Sequence, residues 1–283
     1  MQTAHKQIAA DHFSLEVIEA PKNRHFKAAL FDFDGTLSLI REGWREDMIP
    51  YFCEELAKTP LGQNETAEEI YACAAEFVDA LTGKQTIFQC MQLAEEVSKR
   101  GGTPEDPMVY KTEYLRRLMA RIDSKRVALG KGEIDPEEQL VTGSYEFLQG
   151  LLDRGIGIYC ASGTDQPQVR EEAELLKLQS YFGEHIYGAL DEHAEQCSKE
   201  VVLRTLLEKN GIKGEELLSF GDGPVEIELV AKLGGYAVAV ATDEQKKYGI
   251  NPVKREKLLA AGAKAVVPDF SKTEELLRFL FGE

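Results

Sequence analysis

The stretch Phe31-Asp32-Phe33-Asp34-Gly35-Thr36 decides how this chain folds. It follows Ala28-Ala29-Leu30, so an apolar run reaches two carboxylates one residue apart and then meets a glycine. A short apolar run ended by glycine reads as a buried strand entering a turn. Alternate residues of a strand share a face, and where the backbone opens into Gly35, Asp32 and Asp34 can converge on one site. Two acids that close repel each other. They are tolerated where a cation neutralises them or one carries a proton, and both conditions describe catalysis.

Working outward, residues 1–26 read as a leader with one edge strand or a loose tail, through Phe13, Leu15 and Val17 and a break at Pro21. Residues 41–140 change texture to amphipathic helix. Tyr71, Ala74, Val78 and Leu81 recur at helical spacing, as do Ile87, Met91, Ala94 and Val97, and then Tyr110, Tyr114, Leu118 and Ile122. From residue 141 strands alternate with helices, with strands expected at 156–161, 186–190, 217–220, 236–241 and 264–267. That alternation predicts an α/β domain with a Rossmann-like parallel sheet, made of residues 27–40 and 141–283, interrupted by a helical insertion at 41–140.

In parallel sheets a site lies beyond the carboxyl ends of the strands. Ser162-Gly163-Thr164 follow the second core strand, a hydroxyl and a glycine whose amide can hold an anionic oxygen. Gly221-Asp222-Gly223-Pro224 and Glu226 follow the strand near 217, and Lys199 is the lone cation in the polar segment between. Singly, each has a plain alternative: a turn, a solvated helix lysine, an exposed carboxylate. Their order along the chain is what gives them weight.

Bulk composition narrows the rest. With 283 residues, 43% hydrophobic and 29% charged, the chain has material for one large core and one inserted module. A formal net charge of -16 disfavours nucleic acid and anionic membrane surfaces as partners. An anionic small substrate therefore needs local positive charge. Cys53, Cys73, Cys90, Cys160 and Cys197 show no C-x-x-C spacing and are read as free thiols of a reducing, cytoplasmic protein. No apolar run approaches the ~18 residues of a membrane span, and no signal-peptide core precedes the first strand.

The order of these groups resembles the haloacid dehalogenase-like superfamily from about Lys27 onward. Asp32-Phe33-Asp34-Gly35-Thr36 matches its first motif, Ser162 its second, Lys199 its third, and Gly221-Asp222 with Glu226 its acidic fourth. The resemblance implies that Asp32 is a nucleophile forming an aspartyl-phosphate and Asp34 a general acid and then base. It implies Mg2+ held by the Asp32 carboxylate, the Asp34 carbonyl and Asp222, with Glu226 assisting directly or through water. Ser162, the Gly163 amide and Lys199 would stabilise the phosphoryl oxygens. An aspartate at position 34 favours phosphate-ester chemistry over carbon-halogen or carbon-phosphorus cleavage.

The insertion resembles the family's C1-type helical cap. Thr82-Gly83-Lys84-Gln85 looks like its specificity loop, so Lys84, Gln85 and Arg45 are candidate substrate contacts, and Trp44 is either a core or a ligand residue. His185 and His193 lack partner spacing and are read as structural or exposed. The expected activity is a Mg2+-dependent phosphatase of a small phosphorylated metabolite, a sugar or polyol phosphate, acting as monomer or homodimer. A β-phosphoglucomutase-like phosphosugar mutase is the alternative, and from another class a non-catalytic phosphate-ligand sensor or interaction protein.

Overall fold

The computed structural model describes residues 2–190 and 199–283. His193 and Cys197 lie outside them. The chain divides into two compact units, one of residues 1–42 and 126–283 and one of residues 43–125.

The larger unit is built on a seven-stranded sheet. Its strands are β1 (Glu16–Val17), β2 (Ala28–Phe31), β3 (Gly157–Asp165), β4 (Ile186–Ala189), β5 (Leu217–Gly221), β6 (Tyr236–Val240) and β7 (Ala265–Val267). They lie in the order β1-β7-β6-β5-β2-β3-β4, all parallel except β1, which runs antiparallel on β7. Parallel strands covered on both faces read as continuous apolar runs, and every residue of β2, β5, β6 and β7 is buried. Beside β2 the aromatic core stacks: Phe31 lies on Phe220 with centroids 4.7 Å apart, and Phe147 on Phe270 at the same distance.

The chain passes from β2 to β3 and β4 on one side, then crosses to β5, β6 and β7 on the other. Strand order therefore reverses about β2, and a crevice opens at such a point beyond the strands' carboxyl ends. Phe31 is in register with both Cys160 of β3 and Phe220 of β5. Asp32 comes one residue later, its N–H donating to the Phe220 carbonyl at 3.0 Å.

Three details depart from the expected layout. Helix α1 (Gln2–Asp11) precedes β1, a helix that the weak alternation of the leader did not disclose. Ser162-Gly163-Thr164 do not follow their strand but belong to the last part of β3, where the register with β4 shifts between Ala161 and Asp165. Residues 126–140 group with the sheet, not with the helical insertion. Their end is tied to the loop after Asp34: Leu39 N–H donates to the Gln139 carbonyl and Val141 N–H to the Leu37 carbonyl, at 2.8 and 2.9 Å.

The second unit holds α2 (Arg45–Ala57), α3 (Ala67–Ala80), α4 (Thr86–Lys99) and most of α5 (Pro107–Gly130). Tyr110, Tyr114, Leu118 and Ile122 form one buried stripe of α5, as their spacing predicts. Tyr71 and Met91 break the expected stripes of α3 and α4, being 53% and 47% exposed. Among the described residues no helix is long and apolar enough to cross a membrane.

The remaining helices of the larger unit are α6 (Ser144–Asp153), α7 (Gln166–Leu175), α8 (Gln179–Phe182), α9 (Lys199–Asn210), α10 (Pro224–Lys232), α11 (Pro252–Ala260) and α12 (Thr273–Phe281). Cys53 and Cys73 are half-buried, Cys90 and Cys160 buried, and none of the four forms a disulfide among the described residues.

Candidate active site

Asp32 leaves β2 into a turn that needs a glycine. Gly35 has φ of +75°, and a Cβ there would lie 2.2 Å from Asp222 Oδ2. The left-handed conformation favours glycine, and the missing side chain is the space the Asp222 carboxylate occupies. Gly221 at the end of β5 plays a matching part, since a Cβ there would meet Glu226 Oε1 at 2.2 Å. Two glycines thus let two acids approach the end of β2.

Asp32, Asp222 and Glu226 each offer an oxygen within 4.8 Å of the others. Lys199, the first residue of α9, donates to Asp32 Oδ1 at 2.7 Å and to Glu226 Oε2 at 2.8 Å. Glu226 Oε1 accepts the Gly223 N–H at 3.0 Å, which fixes the acid at the start of α10. All three members of the Asp32-Lys199-Glu226 bridge are buried, so neither the solvated-lysine nor the exposed-carboxylate alternative holds.

Burial pushes the Asp32 carboxyl well above its ordinary range, and the Glu226 and Asp222 charges push the same way against the pull of Lys199. Burial also opposes the Lys199 ammonium, yet the Asp32 and Glu226 carboxylates outweigh it and keep the lysine charged. Lys199 is thus shared by Asp32 and Glu226 while Asp222 takes a second ammonium from Lys254, and the raised Asp32 carboxyl shows that the site still favours more positive charge. An all-oxygen donor set of this kind suits a hard divalent cation, so the residues fit the metal that the motifs imply.

Asp34 points elsewhere, and its side chain is not part of that acidic cluster. Its Oδ2 accepts from Thr164 Oγ1 at 2.8 Å and Ser162 Oγ at 3.3 Å. Ser162 Oγ in turn accepts the Thr164 N–H at 3.0 Å. Gly163 lies between them, partly exposed. The irregular end of β3 thus brings the candidate acid and the candidate phosphate-binding hydroxyl to one place.

Sequence reasoning did not find several neighbours. Thr164 was within the quoted triplet but carried no role. Arg41 makes a forked pair with the fully buried Glu172 of α7, its Nε 3.0 Å from Oε2 and its Nη2 2.8 Å from Oε1, and its Nε lies 3.8 Å from Asp34 Oδ1. Burial raises the Glu172 carboxyl, with Arg41 pulling it back. An arginine directly after the apolar Leu39-Ile40 pair was the available signal. Lys254 pairs with Asp222 and Glu244, and burial of its ammonium is outweighed by those two charges.

The cap candidates belong to the second unit. Arg45 pairs with Asp79 at 2.7 Å, Lys84 is exposed, and Gln85 is buried as the residue preceding α4. Trp44 is half-buried before α2. In the larger unit His185 is exposed, with Nδ1 3.2 Å from the Tyr187 hydroxyl.

Comparisons with known proteins bear on this geometry. A family model described as haloacid dehalogenase-like hydrolase matches residues 26–234. No curated protein matches. Similar solved structures include a HAD family hydrolase from Deinococcus radiodurans R1 with bound phosphate and sodium, 18% identical, TM-score 0.54, covering 91% of this chain and 97% of that one. A β-phosphoglucomutase from Clostridium difficile is 14% identical with TM-score 0.60, covering 90% and 97%. A predicted phosphoglycolate phosphatase from Haemophilus somnus is 14% identical with TM-score 0.57, covering 90% and 99%. At these identities the likeness is one of fold.

Proposed function

Because the chain belongs to the haloacid dehalogenase-like hydrolases, we propose that it is a Mg2+-dependent phosphatase acting on a small phosphoric monoester through an aspartyl-phosphate on Asp32. The observation that carries this reading is the division of labour between the two motif acids. Asp32 lies against Lys199 and the acidic cluster, whereas Asp34 lies against the Thr164 and Ser162 hydroxyls.

Asp32, Asp222 and Glu226 are the side chains that would hold the cation, with the Asp34 carbonyl as a fourth donor. When bound, Mg2+ supplies positive charge that lets these acids ionise together and offsets charge on the phosphoryl group. Asp32 then attacks phosphorus with one carboxylate oxygen, and the bond from phosphorus to the leaving oxygen breaks. Asp34 gives its proton to that oxygen, which departs as the alcohol. In the second step Asp34 takes a proton from water as the water oxygen attacks the phosphoryl group, releasing Asp32 and inorganic phosphate. Ser162, the Gly163 amide and Lys199 face charge on the transferring group.

Sugar and polyol phosphates are the substrates to try first, with Arg45, Lys84 and Gln85 as substrate-selecting positions. The test is phosphate release by purified protein across a panel of metabolite monoesters with and without Mg2+. Release that needs the metal and falls at least about 1,000-fold in Asp32→Asn is expected. No release from any monoester, or equal rates in the variant, sinks the reading; isomerisation of a sugar phosphate without net phosphate release identifies a mutase instead.

A further inference from the structure

Asp222 is held by a lysine of its own. Lys254 Nζ donates to Asp222 Oδ2 at 2.6 Å and also to Glu244 Oε1. The local fold explains how a residue so far along the chain reaches the end of β5. After β6 the chain leaves the sheet as an excursion closed at its base, with Asp243 N–H donating to the Gly249 carbonyl and Asn251 N–H to the Ala241 carbonyl, at 3.0 and 2.7 Å. Asn251 Oδ1 then accepts the N–H groups of Val253 and Lys254, and Pro252 opens α11. Lys254 is thereby fixed in the first turn of a capped helix, and Glu244 stands on the excursion itself. Both residues lie beyond the span that the family model matches.

Two bridges of one design therefore flank the acidic cluster: Asp32-Lys199-Glu226 and Asp222-Lys254-Glu244. In the second, Lys254 holds Asp222 by Oδ2, one of its two carboxylate oxygens. Without the ammonium, the Asp222 and Glu244 carboxylates would face each other with nothing between them and turn apart. Losing a group that holds a ligating carboxylate in place typically costs about 10–100-fold in metal affinity.

We propose that Lys254 is a positioning residue for the cation site, holding Asp222 toward Asp32 and Glu226, with Glu244 anchoring the lysine. This rests on the reading that those three acids bind a divalent cation.

Mn2+ alone is the probe, titrated into the full-length chain with free ion measured by electron paramagnetic resonance. Wild type is expected to bind, and Lys254→Met to bind about 10–100-fold more weakly. Glu244→Gln keeps the Lys254–Asp222 bond and should lose less than about fivefold. Because Lys254 acts through Asp222, adding Lys254→Met to Asp222→Asn should change the affinity by no more than about twofold. If Lys254→Met fails to fold, Lys254→Gln carries the test with a smaller loss in the same direction. Wild type that binds no Mn2+ overturns the cation reading and this inference together. Wild-type binding with an undiminished Lys254 variant, or losses that add in the double variant, overturns the role of Lys254 alone.

Discussion

Asp269 shows at the scale of one residue what an unsatisfied acid does to this protein. It lies just past β7, fully buried; Oδ1 accepts the Ser271 N–H at 2.8 Å, while Oδ2 has no hydrogen-bond partner among the described residues. Burial, against the Ser271 hydrogen bonds, pushes its carboxyl from 3.8 up to about 6. A raised carboxyl means the native state holds a proton that the unfolded chain has released, so this contribution is fully present below about pH 4 and is lost as pH rises to about 6. The loss by pH 7 is about 3 kcal/mol. Asp269→Asn keeps the Oδ1 acceptor and cannot ionise. Urea unfolding should show the variant matching wild type near pH 4 and exceeding it by about 2–3 kcal/mol at pH 7.5. A difference independent of pH would contradict the assignment. Arg41 and Lys254 were illegible in the sequence because each owes its state to partners distant in the chain, and Asp269 because its state comes from burial rather than from its near neighbour Ser271. Asp32, Asp34, Asp222 and Glu226 were legible because strand ends are local features, and Lys199 because it was the lone cation of a polar segment ahead of a helix.

Among elements, helix α3 is the one whose start is written most locally. Thr66 and Glu69 form a reciprocal cap, with Glu69 N–H donating to Thr66 Oγ1 at 3.2 Å and Thr66 N–H to Glu69 Oε2 at 2.8 Å. Thr66→Ala removes the hydroxyl acceptor and should cost about 1 kcal/mol of stability, read as a lower urea midpoint with unchanged slope. Strands β2, β5, β6 and β7 and helix α12 were legible for a similar reason: short, mostly apolar runs or a strong helical stripe between turn residues. Helix α1 was not, because Gln2–Asp11 has little apolar periodicity to announce it. The end of β3 was missed because serine, glycine and threonine signal a turn by composition, whereas here they continue the strand through a change of register. Tyr71 and Met91 mark the limit of the periodic argument: spacing places a residue on a face, but the neighbouring helices decide how much of that face is covered.

For the molecule as a whole, the first nineteen residues finish the sheet. Ile18 and Glu19 donate their N–H groups to the Lys264 carbonyl, the Tyr236 hydroxyl donates to the Glu19 carbonyl, and β1 pairs along β7. A chain beginning at residue 20 leaves β7 as an open, β-branched edge, which invites pairing with another copy. Sedimentation should show self-association of the truncated chain beyond that of the full one, increasing with salt as the mutual repulsion of like-charged molecules is screened; the full chain carries a net charge of -16. Full-length behaviour in the truncated chain would show that β1 covers nothing of consequence. The α/β class could be read from alternating strands and helices, but strand order could not, since it depends on which way each crossover turns.

Gly35 also limits how this turn can change. Its absent side chain is the room in which the Asp222 carboxylate sits. An alanine at 35 therefore evicts the acid, while loss of the acid still leaves a backbone angle that only glycine adopts comfortably. The dependence runs one way: along a lineage of such chains Asp222 can be lost while Gly35 persists, but Gly35 cannot be lost first without taking Asp222 with it. Descent through this turn has a direction, set by the order in which the two positions can change.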